Sequence, residues 1–286
     1  MKPLTIRFPS SASARLNLFG IVPNQLSSLS LSEIEQLAIE VNDRSSQLGK
    51  HCEVIDGVRD ELAFEGNLCR CDFVGGGLTS GRIIVVGSVG DFIADQMTGG
   101  RIEITGSAGR FAASGLRGGV VDIAGDCGEY AASAAPGAVR GMNGGVLVIR
   151  GNCDQWLATR MRRGTVIVHG QTAAACATRM IAGTIALCGP VDYPLAANMA
   201  RGTILVLGQH AVQATPAGFT VPEHTELSFL QLLLNDLSPY LPRHLQAGAI
   251  PRIVFRSLGD RVNRGLGEVI WFQSPATQAF AHRAHA

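Results

Sequence analysis

Acid chemistry run by two carboxylates needs them close together with their protons held at different strengths. Glu103 and Asp122 are the pair this chain offers, at equivalent places in a 19-residue repeat. Adjacent repeats would bring them together, but their place on an outer strand face fits a solvated ladder better. Cys69 and Cys71 form a C-x-C pair, whereas zinc and iron–sulfur sites usually take two such pairs. No second pair exists, so buried thiols are the plainer expectation. Cys127 and Cys153 also occupy equivalent places and would lie within disulfide reach if stacked. In a reducing compartment they read instead as two small apolar residues of one ladder. Gly75, Gly76 and Gly77 precede no G-K-[ST], so they form no phosphate loop. The histidines are scattered, with His282 and His285 in a terminal tail, and none joins a serine or cysteine in a nucleophile motif. No catalytic residue and no metal ligand are expected.

The chemistry that remains is binding. Arg117, Arg160, Arg162, Arg163, Arg179 and Arg201 fall at one corner of the repeat, and Arg140 in an insertion would join them. Guanidinium forks pair well with carboxylates and phosphates. The row reads either as a basic ridge that takes an acidic ligand or as a plain soluble edge. A second surface runs along the outer strand face, where Ile84, Glu103 and Asp122 give way to Val148, Ile167, Ala186 and Leu205. An outward apolar stripe needs a cover. The leucine-rich segment Thr225–Leu237 is one candidate and a partner subunit is the other.

The repeat itself positions these residues. It starts at Leu78, Met97, Leu116, Met142, Met161, Met180 and Met199, with steps of 19 residues except for one of 26. Three residues in stands a glycine (Gly81 through Gly202), and nine in stands another (Gly87 through Gly208). Between them, alternate positions are apolar in every repeat, as in Ile83/Val85, Ile102/Ile104 and Leu147/Ile149. Period-two alternation of β-branched residues reads as a short strand. The glycines suit the corners on either side of it. Further along come Phe92, Phe111, Tyr130 and Trp156 at one offset, and Ala94, Ala113, Ala132, Ala158, Ala177 and Ala196 at another. Like residues at like offsets imply parallel, in-register stacking of units that cannot bury their apolar faces alone. The expected fold is an all-β solenoid, a right-handed single-stranded parallel β-helix of about seven to eight coils spaced about 4.8 Å apart, roughly 30 Å long. A left-handed hexapeptide helix would need a period divisible by six. The one long step, around Pro136, Gly137 and Arg140, reads as an outside loop.

Residues 1–77 read as an N-terminal cap with a leading coil, 78–210 as the β-helix, and 211–286 as a C-terminal cap, so the caps are mixed α/β. A strand is expected over Leu4–Phe8, and a capping box at Ser32 and Glu35 opens a helix over Glu33–Val41. Gly57–Gly77 resembles an irregular first coil, Thr225–Leu237 a helix, and Ile250–Arg256 and Glu268–Phe272 strands. A net charge of +1 gives no pull toward nucleic acid or membrane. No apolar run of about 20 residues exists to span a bilayer, and MKPLTIRFPS lacks a signal core. Seven scattered cysteines read as reduced thiols of a cytoplasmic protein.

The repeat G-G-x-[IV]-x-[IV]-x-G opened by methionine or leucine resembles the C subunit of formylmethanofuran dehydrogenase and of its bacterial counterpart, the formyltransferase/hydrolase complex. The stretch MNGGVLVIRGNCDQWLATRMRRGTVIVHG (Met142–Gly170) and the ending FRSLGDRVNRGLGEVIWF carry that likeness. The coil type is also similar to the C-terminal domain of the glutamate synthase large subunit, which is a far longer chain. The resemblance implies a non-catalytic scaffold subunit with no tightly bound cofactor. Its implied partners are a formyltransferase, an amidohydrolase-like hydrolase and a small accessory subunit. It implies formyl transfer from formyl-tetrahydromethanopterin to a methanofuran or methylofuran carrier, with release of formate. The carrier bears an acidic glutamyl chain, which charge complementarity would bring to the arginine corner. Three alternatives stay open. They are the C subunit of an archaeal-type molybdenum or tungsten formylmethanofuran dehydrogenase, a glutamate-synthase-like regulatory domain, and a solenoid enzyme using Glu103 and Asp122.

Overall fold

The computed structural model describes residues 2–10, 14–208, 215–246 and 253–272. His282, His285 and the segment Ile250–Arg252 lie outside them. The chain is mostly β and is dominated by one 13-stranded, largely parallel sheet.

The repeats build its centre. Their strands are β8 (Arg82–Val85), β9 (Arg101–Ile104), β10 (Val120–Ile123), β11 (Asn143–Ile149), β12 (Arg163–Val168), β13 (Thr184–Leu187) and β14 (Arg201–Val206). They follow the N-terminal elements β1 (Pro3–Arg7), β2 (Leu16–Asn17), α1 (Pro23–Leu26), α2 (Leu31–Glu35), β3 (Ala38–Val41), β4 (Arg44–Gln47), β5 (Glu53–Ile55), β6 (Val58–Glu65) and β7 (Cys71–Asp72). Each repeat strand pairs in parallel with the next, in the register the repeat dictates: Ile83 with Ile102, Ile102 with Val121, Val121 with Leu147, Leu147 with Val166, Val166 with Ile185, Ile185 with Ile204. All of these side chains are fully buried, as are the opening Leu78, Met97, Leu116, Met142, Met161, Met180 and Met199. A second ladder of parallel bridges runs Val89, Ala108, Cys127, Cys153, Thr172, Val191. The repeats opened by Leu78 through Met180 are therefore tied to one another at two separate points.

The two glycines of the repeat do different work. Gly119, like its equivalents from Gly81 to Gly202, sits at positive φ (+83°), where a Cβ is strained. At the second position only Gly66 and Gly87 take that conformation. Gly106 is there because backbones approach closely: a Cβ would stand 2.5 Å from the carbonyl carbon of Gly87. The expected pair of left-handed corners is thus one corner and one close stack. Other left-handed positions of the repeats fall on residues that are not glycine, among them Phe92, Phe111, Tyr130 and Trp156, and Ala94 through Ala196. At those corners the backbone N–H bonds to the adjacent repeat, as Ala113 N does to Ile93 O (2.8 Å), which offsets the steric cost.

Both ends depart from the parallel pattern. β6 pairs with β8, and β1 and then β5 extend the sheet beyond it. Past β14 come β15 (Glu223–Glu226), α3 (Leu230–Leu237), α4 (Arg243–Gln246), β16 (Ile253–Gly259) and β17 (Leu266–Trp271). β17 pairs in parallel with β14, then β16 and β15 add antiparallel. The outer strands β5 and β15 carry Glu53, Glu223 and Glu226, charges that discourage further strand addition. A separate four-stranded sheet, β4-β3-β2-β7, flanks the N-terminal end.

Two local expectations shift. The capping box belongs to Ser30 and Glu33, not Ser32 and Glu35: Ser30 N donates to Glu33 Oε2 (2.7 Å) and Glu33 N to Ser30 Oγ (3.3 Å). The helix stops at Glu35 because Ile39 and Val41 are drawn into strand pairing with β2 and β4. Thr225 and Glu226 likewise join strand β15, so the tail helix starts only at Leu230.

Candidate functional site

Glu103 and Asp122 do meet, as register partners on β9 and β10. They meet inside an ion-pair ladder. Glu103 accepts from Arg82 Nη2 (2.6 Å) and Arg101 Nε (2.5 Å). Asp122 accepts from Arg150 Nε and Nη2 (both 2.8 Å) and from Arg101 Nη2 (3.4 Å). Desolvation pushes the Glu103 carboxyl up, but the bonds from Arg82 and Arg101 outweigh it and hold the group below its ordinary range. A general acid needs the opposite shift.

The cysteines are equally quiet. Cys127 and Cys153 are adjacent in the bridge ladder and buried as free thiols. Burial pushes Cys127 up to about 12 and raises Cys153 as well. Neither supplies the thiolate a nucleophile or ligand requires. Cys71 is buried while Cys69 is exposed, and no cluster able to hold a metal occurs among the described residues. Gly76 packs against the Phe19 ring, so the triple glycine serves close packing.

The arginine corner has the opposite character. Arg117, Arg140, Arg163, Arg179 and Arg201 are exposed, and Arg160 and Arg162 half-buried. The backbone sets them in a row across successive repeats. Arg117 N donates to Met97 O, Arg162 N to Met142 O and Arg179 N to Ala197 O. The insertion closes onto this row through Gly141 N and Arg160 O (3.0 Å), which brings Arg140 to it. None of the seven has a carboxylate or other side-chain partner among the described residues. Arg7, Arg15, Arg82, Arg101, Arg110 and Arg150 all have one. The corner therefore carries positive charge that no side chain among the described residues neutralises.

The outer apolar stripe is covered by the chain's own tail. Val148, Ile167, Ala186 and Leu205 are fully buried in a cluster with Leu230, Leu234 and Leu237 of α3, Leu241, Val254 and Ile270. These four side chains, expected as a partner interface if no tail covered them, present no surface to a partner. His169 fastens the cover, its Nε2 donating to Tyr240 O at 2.7 Å. Burial lowers the His169 pKa despite that bond. The unfolded histidine therefore binds protons more readily, and its contribution weakens as pH falls below about 6.5. Tail cleavage by a protease is expected to speed up between pH 7 and pH 5, and the His169→Gln variant should flatten that dependence.

Two features were not drawn out from the sequence. The aromatic ladder extends through Phe73, which stacks on Phe92 at 4.8 Å, to Phe19. Phe73 stands 19 residues before Phe92, a signal the period already contained. Arg261 and Arg264 are two further exposed arginines without a side-chain partner among the described residues. They lie in the turn between β16 and β17, beyond the reach of the repeat.

No family model matches the chain. Among characterised proteins, the C subunit of the formyltransferase/hydrolase complex Fhc of Methylorubrum extorquens is 40% identical over 87 residues. That stretch is 30% of this chain and spans about a third (32%) of the relative's length. Among solved structures, the X-ray structure of the formyltransferase/hydrolase complex (FhcABCD) from the same organism, in complex with methylofuran, contains a chain of the same fold. The TM-score is 0.83 at 34% identity, covering 94% of this chain and 100% of that one. No helix among the described residues is long and apolar enough to cross a membrane. From the full-length structural likeness and the shorter sequence match, this chain belongs to the C-subunit family of the formyltransferase/hydrolase complex.

Proposed function

We propose that the chain is a non-catalytic scaffold subunit of a cytoplasmic formyltransferase/hydrolase complex in tetrahydromethanopterin-linked one-carbon metabolism. The complex would move a formyl group to a methanofuran-type carrier and release formate. The likeness over the full length of a chain in a methylofuran-bound complex carries this reading. The ion-paired Glu103 and the buried Cys127 support the division of labour, since the first is held below its ordinary range and the second is pushed up, the opposite of what a general acid and a thiolate nucleophile need. The partners would be a formyltransferase, an amidohydrolase-like hydrolase and a small accessory subunit.

Each 19-residue repeat is, in this reading, one coil of a right-handed single-stranded parallel β-helix. The doubly tied parallel register supports the coil, and the preference of parallel crossovers supports the hand. Residues 1–77 and 211–286 act as caps on the 78–210 stack. The arginine corner, Arg117, Arg140, Arg160, Arg162, Arg163, Arg179 and Arg201, tethers the carrier's acidic glutamyl chain without binding it tightly. Its unneutralised charge supports that role.

The test is turnover by the purified chain. With formyl-tetrahydromethanopterin and the carrier, it should show neither formyl transfer nor formate release until the other subunits are added. Turnover by the single chain, lost on changing Glu103 and Asp122 to alanine, would contradict the scaffold reading.

A further inference from the structure

Most large apolar side chains that stay exposed among the described residues belong to the C-terminal cap. Three of them form one knob: Val262 is 86% exposed, Leu266 60% and Leu258 41%. Leu258 lies across β16–β17 from Glu268, and Leu266 aligns with Arg201 of β14. Strand alternation puts Leu258, Leu266 and Arg201 on the outer face, the face that Val254, Ile270 and Leu205 occupy under α3. Val262 tips the turn between the two strands.

That turn is built, not loose. Asp260 is buried; its Oδ1 accepts from Val262 N (2.9 Å) and its Oδ2 from Asn198 N (3.1 Å). Asn263 Nδ2 donates to Asn198 O (2.6 Å), Arg261 N to Gly218 O (3.0 Å) and Gly265 N to Asp260 O (2.8 Å). A turn pinned this way to Asn198, which closes the repeat opened by Met180, and to Gly218 holds a valine in water with little ordering left to lose on binding. Around the knob stand Arg201, Arg261 and Arg264, exposed and without a side-chain partner among the described residues. The nearby carboxylates are already engaged, Asp260 with backbone N–H groups and Glu268 with Arg256 and Thr203.

We infer that Leu258, Val262 and Leu266, ringed by Arg201, Arg261 and Arg264, dock another protein subunit that presents an apolar patch rimmed by carboxylates. An apolar centre with arginine around it is the composition of a protein interface. A free polyanion would leave the three apolar side chains unused. A second copy of this chain would set arginines against arginines across a two-fold contact, which like charge opposes. The inference rests on the subunit reading proposed above.

The test is co-expression with the other subunits of the formyltransferase/hydrolase complex, comparing wild type, Val262→Asp and Arg261→Glu/Arg264→Glu. Leu232→Asp, on the exposed side of α3, serves as the remote control. All the changed side chains are exposed, so the melting temperature of the isolated chain should not move. Val262→Asp and the double arginine variant should each lower recovery of the other subunits at least about tenfold, and the control should not. Full recovery with Val262→Asp would overturn the docking surface while leaving the subunit reading intact. A wild-type chain that dimerises alone and becomes monomeric as Val262→Asp would overturn it in favour of self-association. A wild-type chain that recovers no other component of the complex would sink the subunit reading and this inference with it.

Discussion

Ile167→Asp is expected to free the C-terminal helix while the strand stack stays folded. Ile167 is fully buried beneath α3, between Val148 and Ala186 on the sheet's outer face. A carboxylate there loses its water and finds no partner in that apolar cluster, so it is buried at high cost or takes a proton instead. With the lost aliphatic packing, the variant should weaken docking by about 3 kcal/mol or more. That corresponds to roughly a hundredfold more frequent opening of the tail. The inner core does not share this residue: Leu147, Val166, Ile185 and Ile204 point the other way into a separate cluster. Limited proteolysis should therefore cut within 215–246 far faster, while the β-sheet circular dichroism persists. Val166→Asp, one residue away but facing inward, should unfold the whole chain. Global unfolding of Ile167→Asp, or a tail as resistant as wild type, would show that stack and cover are not separable.

Changing Arg160, Arg162, Arg163 and Arg179 together to alanine is expected to weaken binding of a synthetic oligoglutamate. These guanidinium groups have no acidic partner among the described residues, so each is free to take a carboxylate. Solvent-exposed ion pairs contribute about 0.2–1 kcal/mol each. Four of them make the loss between roughly fourfold and several-hundredfold at low salt. The difference should shrink toward physiological salt, where the screening length is about 8 Å. The fold should be unaffected, because no side-chain hydrogen bond or ion pair among the described residues is lost. Lysine at all four positions keeps the charge but not the fork, so partial affinity should remain. Equal affinity and an equal salt slope in the alanine variant would make the row a plain soluble edge.

The sequence was most legible where the period acts. Offsets alone gave the strand positions from β8 to β14, their register, the inward pairs such as Ile102/Ile104, and the place of Arg160 beside Arg179. The repeat constrains these because equivalent residues must stack. Legibility failed where tertiary pairing competes with local preference. Ser32 and Glu35 satisfy a capping pattern as well as Ser30 and Glu33 do, and only the pull of Ile39 and Val41 into a sheet decides between them. Non-glycine residues at positive φ, such as Phe111 and Ala113, also carry no local signal. Their conformation is set by hydrogen bonds to neighbouring repeats. The sequence left the cover of Val148 and Ile167 open between the tail and a partner, and the structure supplies the tail. Arg261 and Arg264 escaped notice because they lie outside the period. The pairing of β17 with β14, and the bonds of Asp260 and Asn263 to Asn198, bring their turn to the end of the repeats.

The central claim is that this chain works as one component of a formyltransferase/hydrolase complex. Native purification of the tagged chain from its own cytoplasm, with mass spectrometry of everything that co-elutes in fixed ratio, tests it most directly. A formyltransferase and an amidohydrolase-like subunit should come with it, and formyl transfer and formate release should follow that fraction. Recovery of the chain alone, with those activities running elsewhere in the gradient, would contradict it.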